Sequence, residues 1–414
     1  MYDFANSSYT TLISTVAFSV YYSRAVVGGS GGRGELLWSL ASASAHVVLI
    51  VTSPVLGAIA DHSGRRKLFL LMTTAQTVIA CALLFFVRPG DVLLGAALYV
   101  VGSVGFEGGY VFYNAFLPEV STPETMGRVS GWSWGTGFLG GMIALVACVP
   151  FLDQPLVDPA SGALNASSVV GYRTSFVLVA VFFALFSVPT FLFLPRDRGR
   201  RDMITARGYV VAGFRRVSQT LTHLRRYRET AKFVVAATFF QGGIETVIKF
   251  SALYAAVTFG IQGAELLTLF IFSNLVAVPG TLAAGYLADR FGGKRALVCT
   301  LVGWFVLVLM GALAASKPAF WVLAAGIAIG MGATQAVGRS FMAQISPPDR
   351  ESEFFGFYLL CNKVGSIASL LLFGGMAAAT GDQRLAVLTV APLFLVAVIL
   401  MLRIDVDAAL QKVS

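Results

Sequence analysis

Gln241, Glu245 and Lys249 follow one another at intervals of four inside an apolar run, which puts all three on one face of a helix. Other apolar runs carry similar stripes: Asp3, Asn6 and Thr10; Glu107, Tyr110 and Asn114; Gln335 with Arg339. Carboxylates can take up a proton, a lysine can hold a carboxylate, and amides both donate and accept. Glu245 and Lys249 stand one turn apart, a spacing that suits either mutual neutralisation or the two charges of a zwitterion. Glu107 has no basic residue one turn away in its own run, as a protonation site would require. Ionisable groups in a bilayer cost at least about 2.5–3.5 kcal/mol on insertion scales, so they persist where they face a cavity or a partner. Glu107, Tyr110, Asn114, Gln241, Glu245 and Lys249 are therefore candidates for solute binding or proton coupling. Asp3, Asn6, Gln335, Arg339 and Lys363 are candidates for a gate, with Asp3 or Glu119 pairing Arg339.

The elements that must carry these groups are long and apolar. The 414 residues are 57% hydrophobic and only 12% charged, with a mean hydropathy of +0.77. Twelve runs are each long enough to cross a bilayer: about 2–23, 38–60, 68–87, 92–117, 129–151 and 171–194, then 231–257, 264–288, 296–315, 318–343, 354–380 and 384–402. Runs this uniform are helices rather than barrel strands. The expected fold class is all-α and integral to the membrane, with a six-helix bundle over 1–195, a linker over 196–230 and a second six-helix bundle over 231–414. Within the linker Val210, Phe214, Val217, Leu221 and Leu224 keep helical spacing while arginines take the other faces, which predicts a basic amphipathic helix, either lying on the inner leaflet or solvated.

Arg24, Arg33, Arg88, Arg173, Lys317 and Arg384 fall on one side of the membrane, Lys249, Arg339 and Lys363 within helices, and the remaining 21 of 30 basic residues on the other side. The rich side should be cytoplasmic, with both termini there. The net charge of +9 sits in short loops between apolar runs, so it points to a lipid bilayer and not to nucleic acid. Cys81, Cys148, Cys299 and Cys361 lie in apolar runs and read as buried small hydrophobes. No metal-ligand spacing, nucleophile elbow or Gly-x-x-x-x-Gly-Lys loop appears, so no cofactor, no metal and no enzyme activity are expected.

One phrase occurs twice. Gly57, Ala60, Asp61 and Gly64, followed by Arg65, Arg66 and Lys67, recur as Gly285, Ala288, Asp289 and Gly292, followed by Lys294 and Arg295. His62 stands where the second copy has Arg290. The phrase resembles the loop signature of the major facilitator superfamily. That resemblance implies two pseudo-symmetric six-helix bundles, a central cavity lined by helices 1, 4, 7 and 10, and monomeric function. Glycine permits close helix approach, and Asp pairs with Arg or a helix end. Gly57, Asp61, Gly64, Arg65, Arg66, Gly285, Asp289, Arg290, Gly292, Lys294 and Arg295 are thus expected to latch one conformation, not to touch solute.

A narrower resemblance is to the vacuole-effluxer branch, whose eukaryotic members are autophagy-related vacuolar amino-acid permeases. It rests on Tyr2-Asp3-Phe4-Ala5-Asn6-Ser7, Tyr113-Asn114-Ala115-Phe116-Leu117-Pro118-Glu119, Gly127-Arg128-Val129-Ser130-Gly131, Gln335-Ala336-Val337-Gly338-Arg339-Ser340, and Phe354 to Tyr358 with Lys363. The branch's usual helix-7 Asp is missing: Gly242 occupies its place and Glu245 lies one turn on. The resemblance implies a bacterial inner-membrane secondary transporter for a small-molecule substrate. Amino acids driven by a coupling proton are one reading. Efflux of drugs or metabolites is a second, and a non-transporting scaffold or sensor is a third.

Overall fold

The structure is a computed structural model and describes residues 1–28, 33–152, 156–157, 163–195, 197, 214–215, 218, 227–261, 264–348, 350–380 and 382–411. The amphipathic helix expected within 196–230 lies largely outside the described residues. Among the described residues the regular structure is helical, apart from one antiparallel bridge between Val157 and Leu164. The main helices are α1 (Tyr2–Ser8), α2 (Arg33–Ser63), α3 (Arg66–Leu83), α4 (Val92–Ala115), α5 (Met126–Leu152), α6 (Ala166–Phe193), α7 (Arg228–Phe259), α8 (Ala264–Phe291), α9 (Gly293–Leu313), α10 (Lys317–Ile345), α11 (Glu351–Thr380) and α12 (Ala391–Leu402). Among the described residues, eleven helical stretches are long and apolar enough to span a membrane. The remaining expected span begins at α1 and is helical but broken.

That span continues from α1 through a π-helix at Tyr9–Val16, an α-turn at Phe18–Tyr21 and a second π-helix at Tyr22–Val27. Its composition explains the wide turns. Thr15 Oγ1 donates to the carbonyl of Thr10 at 3.0 Å and Ser19 Oγ to that of Thr15 at 2.7 Å. The Ala17 N–H reaches back five residues to Leu12. Hydroxyls that compete for backbone carbonyls favour such departures from regular α-helix.

The chain divides into two compact units: Met1–Val51, Arg65–Tyr113 and Thr136–Arg198; and Thr52–Gly64, Asn114–Gly135 and Gly199–Ser414. In the first unit, buried tyrosines of the opening span tie it to α3, α4 and the turn between them. Tyr2 Oη lies 2.9 Å from Thr74 Oγ1 and Tyr9 Oη 3.2 Å from Ser103 Oγ. Tyr21 donates to the Val87 carbonyl and Tyr22 to that of Val92. A phenol hydroxyl deep in a bundle needs a partner, and each of these has one. Phe4 stacks on Phe182 of α6, and Gly140 of α5 packs against the carbonyl of Phe4, where no Cβ would fit.

In the second unit, α7 and α11 touch backbone to backbone. A Cβ on Gly242 would stand 2.5 Å from the Gly365 carbonyl oxygen. Thr246 and Ser369 join their hydroxyls at 2.7 Å further along the same seam. Trp304 of α9 stacks on Phe394 of α12 with ring planes 4° apart and donates to Thr334 of α10 at 3.0 Å. Cys81 and Cys148 are buried, as composition predicts. Cys299 instead faces outward from α9, since an apolar surface on a membrane helix needs no burial in protein.

Candidate functional site

Both copies of the repeated phrase end a helix, turn on a glycine and start another. Gly64 (φ 64°) and Gly292 (φ 90°) adopt the left-handed region that favours glycine. The acid three residues earlier caps a different helix, within the second unit in both cases. Asp61 accepts the backbone N–H of Ser352 at 3.3 Å and of Glu353 at 2.8 Å, the first turn of α11. Asp289 accepts those of Gly127 at 2.6 Å and Arg128 at 3.0 Å, the first turn of α5, and pairs with Arg128 Nε at 3.1 Å. Each carboxylate meets otherwise unsatisfied donors and the positive end of a helix. In the turn before α5, the Thr122 hydroxyl holds the exposed Glu124 carboxyl below its ordinary range.

The glycines of the phrase bring the backbones close enough for these bonds. Gly57 sits against the Ser352 carbonyl, while on α11 a Cβ at Gly356 would stand 2.5 Å from that of Ser53. A Cβ at Gly285 would lie 2.5 Å from the Gly127 carbonyl, and one at Gly131 2.8 Å from that of Thr281. The two crossings, α2 with α11 and α8 with α5, are built alike: each helix meets the other's carbonyl four residues before the other's glycine.

The basic residues of the phrase divide their work. Lys67 Nζ donates to the carbonyl of Leu194 just past α6, and Asp197 accepts the N–H groups of Lys67 and Leu68 at the start of α3. Lys294 Nζ donates to the carbonyls of Leu402 and Ile404 at the end of α12. Both lysines are the second residue of their helix, and both cap the last long helix of their half. Arg290 lies over the Phe291 ring at 5.4 Å. Arg65 and Arg295 are exposed, and Arg66 is half-buried.

Deeper in the second unit, Gln241 and Gln335 form a reciprocal amide pair, each Nε2 donating to the other's Oε1 at 3.1 and 2.9 Å. Gln241 also donates to Tyr358 Oη at 3.0 Å. One turn along α7, Lys249 Nζ lies 3.2 Å from Glu245 Oε1, with side chains 41% and 33% exposed. Arg339 is 5% exposed. It donates through Nε to Ser130 Oγ at 2.9 Å, through Nη2 to the Ser130 carbonyl at 2.8 Å and through Nη1 to Asn114 Oδ1 at 3.5 Å, and it lies over Trp134 at 5.7 Å. Lys363 of α11 is buried.

In the first unit, Tyr113 donates to Asp3 Oδ2 at 3.4 Å. Asn6 is 1% exposed, and among the described residues neither atom of its amide finds a hydrogen-bond partner. Glu107 and Tyr110 are half-buried on α4, with Tyr110 edge-on to Phe106. The pairs Gln241–Gln335, Glu245–Lys249 and Arg339–Asn114 therefore stand together, and Asp61 and Asp289 each hold a helix end. The spacing argument missed Ser130, Trp134, Arg128, Lys67, Tyr113 and Tyr358. These residues act through tertiary contacts that no single-helix periodicity carries. The available signal was membership of a motif: Lys67 lies in the repeated phrase, and Tyr113, Arg128, Ser130 and Tyr358 lie in the strings that carry the family resemblance.

Known proteins give this geometry its place. A match to the family described as "Vacuole effluxer Atg22 like" spans residues 38–414. The chain is 30% identical to an uncharacterised MFS-type transporter, YxiO, of Bacillus subtilis, over 97% of this chain and 92% of that one. It is 23% identical to autophagy-related protein 22-1 of Penicillium rubens, over 84% and 71%. Among solved structures it superposes on the major facilitator transporter FucP in the outward conformation with a TM-score of 0.75 at 14% identity, covering 98% and 97%. With the proton:xylose symporter XylE the TM-score is 0.72 at 13% identity, covering 97% and 93%. The chain has the major facilitator fold and belongs to the Atg22-like vacuole effluxer family of secondary transporters.

Proposed function

We propose that this secondary transporter moves small zwitterions of the amino-acid class by alternating access, in a bacterial inner membrane with both termini cytoplasmic. The observation that carries the substrate class is the Glu245–Lys249 pair: opposite charges one helical turn apart at 3.2 Å, neither buried. A part-exposed ion pair in low dielectric can open and hold an ammonium on the carboxylate and a carboxylate on the lysine. Gln241, Gln335 and Tyr358 lie next along the same bundle and offer neutral donors and acceptors. Asp61 and Asp289 serve as the latch that holds one end closed while the solute site is reached from the other. Glu107 is the proposed proton-coupling group, and Asp3, Asn6, Arg339 and Lys363 belong to the gate.

A thermal-shift screen of the purified protein tests this, with amino acids and amphipathic drugs at two pH values. Ligands bound only by the folded state raise the melting temperature. The proposal expects a shift with amino acids that is absent in Glu245→Gln and Lys249→Gln. A shift with drugs alone would replace it with an efflux role.

A further inference from the structure

One turn from Glu245, the helices α7, α10 and α11 bring together neutral polar groups whose bonding capacity is only part used. Gln335 Nε2 gives one of its two N–H groups to Gln241 at 2.9 Å and keeps the other to give. Tyr358 Oη accepts from Gln241 at 3.0 Å and keeps its own proton to donate. Asn362, one turn further along α11, lies beside the Tyr358 hydroxyl. Its Oδ1 is buried and has no hydrogen-bond partner among the described residues. A buried acceptor without a donor is unfavourable, and a guest that brings it an N–H relieves that cost. The side chains of Gln335 and Asn362 are only half-buried. The last torsion of an asparagine is soft, so a small turn of the amide presents its oxygen to a guest.

The spare protons of Gln335 and Tyr358 call for an acceptor, and Asn362 Oδ1 calls for a donor. A primary carboxamide carries a carbonyl oxygen and an NH2 on one carbon, and so meets both demands. A carboxylate brings acceptors alone, and an alkyl or thioether tail brings no donor. Arg339, the cation beside Tyr358, does not alter this choice. It is 5% exposed, and Ser130 and Asn114 engage its guanidinium. Position sets the length of the guest. Gln241 and Glu245 are four residues apart, which is about 6 Å along a helix. An extended glutamine separates its ammonium from its side-chain amide carbon by about 5 Å, given standard bond lengths. An ammonium on Glu245 thus sets the carboxamide at the level of Gln241, with the guest's carboxylate toward Lys249.

On the reading that Glu245 and Lys249 hold the two charges of the solute, we infer that the solute carries a side-chain carboxamide at the length of glutamine. Asn362, Tyr358 and Gln335 select it by completing their hydrogen bonds on that group.

Equilibrium binding of radiolabelled glutamine, glutamate, methionine and alanine to the full chain in detergent tests this. Alanine reports the charged pair alone, and methionine matches the length of glutamine without its amide. Glutamine is expected to bind tighter than each of the others by about tenfold or more, the scale set by leaving a buried polar group unpaired. Asn362→Leu should erase that advantage. Tyr358→Phe, which keeps the ring, should lower it several-fold and serves if the leucine variant does not stay monodisperse. Glutamine no tighter than alanine or methionine, glutamate tighter than glutamine, or an advantage unmoved in both variants would overturn the carboxamide assignment and leave the charged pair standing. Alanine binding undiminished in Lys249→Gln would overturn the charged pair and the assignment built on it. A folded protein that binds none of the four would overturn both.

Discussion

Asp289 takes the backbone N–H of Gly127 at 2.6 Å and, with its other oxygen, both the N–H and the guanidinium of Arg128. One carboxylate thereby caps a helix, neutralises a cation and fixes the approach of α8 to α5. Asp61 performs the first of these tasks on α11. The repeated phrase is thus read out as a repeated contact.

Both acids hold a helix end through two backbone N–H groups, and charge-assisted hydrogen bonds contribute about 1.5–3 kcal/mol each. Asp289→Asn and Asp61→Asn are each expected to loosen these contacts. A cysteine introduced at buried Ser352, in a background without native cysteines, reports the opening. Maleimide labelling should rise about tenfold or more in either variant, following a loss of at least about 1.4 kcal/mol. Unchanged rates would sink the latch role.

The glycine crossings give a sharper contrast. Gly285→Ala forces a Cβ onto the Gly127 carbonyl, backbone against backbone. At Gly303 a Cβ would meet nothing within 4 Å. Replacing a helical glycine by alanine otherwise gains up to about 1 kcal/mol. Gly303→Ala should therefore raise the melting temperature slightly, while Gly285→Ala should speed labelling at position 352. The same response from both would mean that the close approach at Gly285 has no role in closure.

Arg339 predicts a stability effect. Ser130 supplies it with a hydroxyl and a carbonyl, and Ser130 Oγ also donates to Ala336. Ser130→Ala removes both hydroxyl bonds and leaves a buried guanidinium short of an acceptor, at a cost of about 1.5–3 kcal/mol. Thermal unfolding should show a clear drop, with Ser130→Thr restoring most of it. A Ser130→Ala protein as stable as the wild type would contradict the assignment.

The thiols check the membrane embedding. Cys81 and Cys148 are buried and Cys299 is exposed on an apolar helix. In bilayers a membrane-permeant maleimide should modify Cys299 well ahead of Cys81 and Cys148, read by peptide mass spectrometry. A charged, water-soluble reagent should modify none of these three. Rapid reaction of Cys299 with the charged reagent would place that face of α9 in water.

Much of the fold was legible because membrane burial writes itself as long apolar runs, and because the duplicated phrase marks matched loops. The i, i+4 spacing of Glu245 and Lys249 sufficed to foresee a pair that forms within one helix. The opening span was harder to read. Its apolar character announced a helix, but the hydroxyls of Thr15 and Ser19 widen it into π-turns that a hydropathy pattern does not register. The Ser130–Arg339 and Gln241–Tyr358 bonds join residues 209 and 117 positions apart. No local period encodes such contacts. Cys299 was misjudged as buried because, in a membrane helix, apolar residues face lipid as readily as protein.

The central claim is that the Glu245–Lys249 pair holds a zwitterion in transit. Counterflow of radiolabelled amino acids into proteoliposomes preloaded with unlabelled amino acids tests it most directly. The account predicts accumulation above empty liposomes for at least one amino acid, abolished in Lys249→Gln and in Glu245→Gln with the protein still folded. Counterflow that survives both substitutions, or none for any amino acid with a correctly folded wild type, would contradict it.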